Sequence, residues 1–101
     1  MKIRVAERHM EASQALRDYA ISKVEALERY FDGIVSVDII MDVQRERQIV
    51  EMVAHLIKKK IAKTTTESNS MYASIDEAVD KLKSQLRRYK TRLKEKRRGE
   101  I

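Results

Sequence analysis

Residues 1–7, MKIRVAE, alternate in character. Ile3 and Val5 fall on one side and Lys2 and Arg4 on the other, the period of a half-buried strand. Ser13 then stands where a helix cap belongs. It precedes Leu16, Ala20, Val24, Leu27 and Phe31, whose steps of 4, 4, 3 and 4 place them on one helical face. The helix is expected to stop at Asp32-Gly33, with Gly33 in the left-handed conformation common after a helix. In IVSVDIIMDV, Val35, Val37, Ile39, Met41 and Val43 occupy every second position and predict a strand with one apolar face. The other face (Ser36, Asp38, Ile40, Asp42) is mixed, so the sheet should be covered on one side only. QRERQ reads as a turn. A third strand from about Ile49 to Ile57 directs Val50, Met52, Ala54 and Leu56 inward. A fourth falls within KIAKTTTES, on the β-propensity of Ile and Thr. The turn before it must use Lys58-Lys59, where Gly or Asn is usual.

After the polar ESNS loop a long helix begins near Met71 to Ala73, with Met71 and Tyr72 expected to anchor it in the core. Its stripe is Ile75, Val79, Leu82, Leu86, Tyr89 and Leu93, with steps of 4, 3, 4, 3 and 4. No apolar residue follows until Ile101, so the helix is expected to fray past Leu93. The order β-α-β-β-β-α favours a parallel, right-handed crossover between the first two strands and antiparallel pairing of the rest. The fold class expected is α+β. It is a two-layer sandwich, a four-stranded mixed sheet with both helices on one face and the other face open. Residues 1–95 form one domain in this reading, and 96–101 a charged C-terminal tail at the place where a linker would start.

Charge changes the picture. Residues 1–80 hold 12 basic and 14 acidic residues, a net of −2, whereas 81–101 hold 10 basic and 2 acidic, a net of +8. The whole excess of the 101-residue chain therefore lies in its last fifth. Such asymmetry points to nucleic acid, an anionic membrane or an acidic partner. No run approaches the roughly 20 apolar residues of a membrane span, and the N-terminus has no signal-peptide pattern. With no Cys, disulfides and thiolate metal sites are excluded, and a cytoplasmic location fits. Gly33 and Gly99 are the only glycines, so there is no glycine-rich phosphate loop.

Catalysis has little support. His9 and His55 are far apart without metal-ligand spacing, and His55 is expected to share a solvated strand face with Glu51. Asp76, Glu77 and Asp80 near the start of the last helix read as compensation of its dipole. Nothing calls for a cofactor, a metal or a small-molecule substrate. The basic helix is different. A helical wheel puts Lys81, Arg88 and Arg92 on one flank of the leucine stripe and Lys83, Arg87, Lys90 and Lys94 on the other. One or two cations would satisfy a helix C-terminus, whereas ten nearly unopposed charges repel one another, so selection for an anion explains them better. A membrane fits poorly, because the apolar stripe is needed for the core and the basic sectors carry no Trp or Phe. Phosphate suits Arg forks and Lys point charges. With one Phe and no Trp in the chain, backbone and shape recognition of structured RNA is favoured over base stacking.

The stretch SMYASIDEAVDKLKSQLRRYKTRLK resembles the signature of the ribosome hibernation-promoting factors, also called ribosome-associated inhibitors or ribosomal subunit interface proteins. Their pattern appears here as Met71-Tyr72, Ala73, Ile75-Asp76, Asp80-Lys81-Leu82 and Gln85-Leu86. MKIRVAERHMEASQALRDYAISKVEALERYF is similar to the family's opening strand and helix. The resemblance implies a fold reminiscent of double-stranded RNA-binding domains. It also implies a protein seated on the small ribosomal subunit, in the channel of messenger and transfer RNA, silencing idle ribosomes under stress by occupancy. By matching position, ribosomal RNA contacts fall on Lys81, Arg88 and Arg92, with Arg17 and Lys23 on the first helix. Lys83, Arg87 and Lys90 are added from charge alone. Two departures stand out: Ser68-Asn69-Ser70 replaces the acidic residues usual before the Met-Tyr pair, and Lys58-Lys59-Lys60 occupies a hairpin tip where many relatives have Asn or Gly. Long members continue into a second domain that pairs ribosomes; a short form and an N-terminal domain of a long form are both open. Two other readings also stay open: a general structured-RNA binder, and an interaction module whose basic helix docks on an acidic protein partner.

Overall fold

The computed structural model describes the backbone of residues 1–99 and the side chains of residues 1–92. The elements are β1 (Lys2–Arg8), α1 (Gln14–Tyr30), β2 (Ile34–Gln44), β3 (Arg47–Leu56), a short 3-10 turn (Ile57–Lys59), β4 (Ile61–Ser68) and α2 (Met71–Gly99). They form a sheet of order β1-β2-β3-β4. β1 pairs parallel with β2, because α1 carries the chain back to the same end of the sheet. The two hairpins make the other pairs antiparallel.

Ser13 caps α1 as expected, its Oγ accepting from the Leu16 amide at 3.1 Å. Leu16, Ala20, Val24 and Leu27 are buried. At the other end Phe31 is extended, with φ −144°, and its N–H donates to the Leu27 carbonyl at 2.8 Å. Gly33 departs from expectation, since its φ is not positive. Its constraint is one of space. A Cβ there would come within 2.7 Å of the Phe31 Cζ and 3.3 Å of the Ile57 Cγ1.

β2 departs at its first residues. Ile34, Val37, Ile39 and Met41 are buried, but Val35 is 56% exposed. The register shifts between Ile34 and Ser36, and such a bulge resets the alternation, so that Ile34 takes the inward place. Val43 is only partly buried. β3 turns Val50, Met52, Ala54 and Leu56 inward, and β4 alternates with Ala62, Thr64 and Thr66 buried.

In α2, Ile75, Ala78, Leu82 and Leu86 have no exposed surface, while Val79 and Tyr89 pack partly against the same core. Burial of a Leu or Ile of this kind stabilises by about 1.5–3 kcal/mol each. The expected contribution of Leu93 lies outside the described side chains. The helix does not end near Leu93 but continues to Gly99, through a run without Pro whose Lys, Glu and Arg are good helix formers. Met71 is buried as expected, but Tyr72 is 45% exposed and lies edge-on against Tyr19, with ring centroids 4.9 Å apart. Ser74, not Tyr72, joins Met71 in anchoring the start of α2. Its fully buried hydroxyl lies 2.7 Å from the Gln48 carbonyl, and its own carbonyl accepts from Thr66 Oγ1 at 2.6 Å. Tyr19 meets Tyr72 and Asp76, while Phe31 meets Tyr89 further along α2. The two helices therefore run in the same direction over one core.

Candidate nucleic-acid interface

The charged surfaces of the domain fall into two kinds. On the open face of the sheet, acids and bases interleave. Arg4 Nε lies 2.7 Å from Asp38 Oδ1 and His55 Nε2 lies 3.1 Å from Asp38 Oδ2. His9 Nδ1 lies 2.9 Å from Asp42 Oδ1, Lys63 lies 3.9 Å from Glu51, and Arg47 pairs closely with Glu67. Burial alone would raise the Asp38 carboxyl, but the hydrogen bonds from Arg4 and His55 outweigh it and hold it below its ordinary value. His9, helped by Gln44, lowers Asp42 against a smaller effect of burial. His55 thus pairs with Asp38 rather than with its strand neighbour Glu51. Among the described residues no cluster of three or more His, Asp or Glu side chains could hold a metal ion.

The outer side of α2 is of the second kind. Lys81, Lys83, Arg87, Arg88, Lys90 and Arg92 are all exposed. Among the described residues none of them forms an ion pair. They flank the buried Leu82 and Leu86. On the flank facing α1, the spacing 83, 87, 90 brings three cations to Tyr30, the last residue of that helix. Lys83 Nζ and Lys90 Nζ lie 5.3 and 5.4 Å from the ring centroid. Arg87 Nε donates to the Tyr30 hydroxyl at 3.3 Å, and Lys90 Nζ to the Tyr30 carbonyl at 3.4 Å. On the opposite flank, Gln85 shares the face of Lys81, Arg88 and Arg92 and donates to the Lys63 carbonyl of β4 at 2.8 Å. That flank therefore overlooks the edge of the sheet.

The two expected contacts on α1 are differently placed. Arg17 pairs closely with Glu7. Lys23 lies 3.5 Å from Asp76 and 5.6 Å from the centroid of the Tyr19 ring. Asp76, which also accepts from the Tyr19 hydroxyl at 2.5 Å, raises the pKa of both Tyr19 and Lys23. Asp76 is thus a link between helices. It sits beyond the first turn of α2, too far in for the dipole compensation expected of it. Neither Arg17 nor Lys23 joins the cluster at Tyr30. Sequence reasoning missed Tyr30 itself. Its signal was an aromatic at a helix end, and only the pairing of two helices turns that into a cation-holding position.

The class of protein is set by its architecture, an α+β sandwich overlaid by a helix with exposed cations on both flanks of its buried stripe. The chain matches the model of the family described as Sigma 54 modulation protein / S30EA ribosomal protein over residues 3–94, and it belongs to that family. It is 35% identical over 100 residues to a ribosome hibernation promoting factor of Azotobacter vinelandii, covering 99% of this chain and 92% of that one. Its fold is similar to a ribosomal subunit interface protein from Coxiella burnetii, with TM-score 0.84 and 27% identity, covering 90% of this chain and 99% of that one. It is also similar to the N-terminal domain of Protein Y from Thermus thermophilus, with TM-score 0.80 and 30% identity, covering 88% and 99%.

Proposed function

We propose that this protein is a ribosome hibernation factor of the cytoplasm. It binds the small ribosomal subunit through phosphates of the ribosomal RNA, lies in the channel of messenger and transfer RNA, and inhibits translation under stress by occupancy. The reading involves no chemical step. The observation that carries it is the set of exposed α2 cations, none of them in an ion pair among the described residues, on a chain whose relatives are named for ribosome hibernation. Arg17 and Lys23 contribute less in this reading, because each would have to leave a carboxylate to reach a phosphate.

Co-sedimentation with purified small subunits across a salt series tests it, with messenger RNA or initiator transfer RNA as competitor. Neutralising about five phosphates gives a log–log slope near −4. Salt-sensitive binding displaced by either competitor is the expected result. A slope near zero removes the phosphate mechanism. Binding without competition moves the site out of the channel, and equally tight binding to free duplex RNA favours a general RNA binder.

A further inference from the structure

We propose that the turn Lys58-Lys59-Lys60 is a phosphate-binding element in its own right, taking the phosphodiester backbone of RNA beside the α2 cations. This rests on the RNA-binding reading above and extends it to a segment that reading does not use.

Lys58 and Lys59 both have positive φ, 62° and 59°. Glycine or asparagine adopts that conformation readily, whereas a longer side chain is crowded by its own backbone. An Asn-Gly pair would serve the turn better. Three successive ammonium groups also repel one another, and all three residues are exposed. Among the described residues none of them has an acidic partner, although Asp32 precedes Gly33, whose carbonyl accepts from the Ile57 amide at 2.9 Å. Lysine is therefore unfavourable here both for the backbone and for the charge, and strain held in place by its surroundings points to use of the side chains.

The turn is also held firmly. The Leu56 amide donates to the Lys60 carbonyl at 2.7 Å, and Ile57 packs against Gly33. The segment Tyr30–Gly33 thus carries the lysine turn at one end and Lys83, Arg87 and Lys90 around Tyr30 at the other. Two groups of three cations thus lie at one pole of the domain, at the two ends of a four-residue segment.

The test is binding to purified small ribosomal subunits over a salt series, with thermal melts in parallel. Lys58→Asn/Lys59→Gly should raise the melting temperature, weaken binding on the order of tenfold near 0.1 M salt, and flatten the log–log slope by about 1.4–1.8. Lys58→Arg/Lys59→Arg should keep the slope. Lys60→Gln, at an unstrained φ of −83°, removes charge alone and should flatten the slope by about 0.7–0.9. Unchanged slopes in both charge-removing variants overturn the proposal, as does weaker binding at constant slope, which would assign the turn to a protein surface. A wild-type protein that binds without salt dependence removes the RNA reading and the role of the turn with it. Salt-dependent wild-type binding that the variants leave untouched strikes the turn alone.

Discussion

Arg87 donates from Nε to the hydroxyl of Tyr30 at 3.3 Å, across 57 residues of chain, and Lys83 and Lys90 lie over the same ring. Cation–π contacts at exposed sites are worth about 0.5–1 kcal/mol each, enough to bias three long side chains toward one arrangement before any anion arrives. Tyr30→Phe keeps the ring and loses the Arg87 bond. Tyr30→Ala loses both. Affinity for small subunits is expected to fall by less than about twofold in the first and by roughly five- to tenfold in the second, about 1 kcal/mol. Co-sedimentation at fixed salt measures both, and an unaffected Tyr30→Ala variant would mean that holding the three side chains at Tyr30 has no role in binding.

Leu82 and Leu86 hold α2 to the sheet with no surface left exposed. Leu82→Ala or Leu86→Ala should destabilise the domain by about 2–5 kcal/mol. Urea denaturation gives the value; a loss below 1 kcal/mol would show that the neighbours collapse into the space.

Gly33 cannot accept a Cβ unless Phe31 moves, and Phe31 is buried and packed edge-on against Tyr89 at 5.6 Å. Gly33→Ala should therefore lower stability by about 1–3 kcal/mol through overpacking. Because φ is not positive there, the cost is steric and depends on the ring. Phe31→Leu in the same chain should make the added cost of Gly33→Ala smaller, which a double-mutant cycle of denaturation midpoints would reveal.

Acid should weaken the domain through carboxylates on the open face of the sheet. Asp38 and Asp42 have folded-state pKa values below their ordinary 3.8. Their stabilising contribution is fully present above that value and is lost as pH falls through the depressed folded values. Wild-type stability should thus decline below about pH 4, and Asp38→Asn/Asp42→Asn should decline less steeply. Thermal melts between pH 2 and 6 test this; parallel profiles for the two proteins would exclude these carboxylates as the source.

Where a pattern is written in one element, the sequence was readable. The stripe from Leu16 to Leu27 and the alternation from Val50 to Leu56 needed no partner to be interpreted, and both are buried as expected. Legible too were the positions of Lys81, Lys83, Arg87, Arg88, Lys90 and Arg92 on two flanks, since helical spacing alone sets them; Lys94 lies outside the described side chains. What escaped depends on two elements meeting. Val35 is exposed because a bulge against β3 resets the count, and nothing local announces it. Tyr72 leaves the core because Tyr19 offers it an edge-on contact. Asp76 looked like a response to its own helix until α1 brought Tyr19 and Lys23 against it. Gly33 looked like a conformational need and is a need for room.

The contact between Gln85 and the Lys63 carbonyl has a bearing on how the protein behaves in a crowd. β4 is an outer strand, and an outer strand is a template onto which another chain can zip, copy after copy. Here a side chain from α2 already occupies a backbone acceptor on that strand, and the exposed Lys60 and Lys63 add like charge along it. The helix that gathers the cations thereby also closes part of the β4 edge to such pairing.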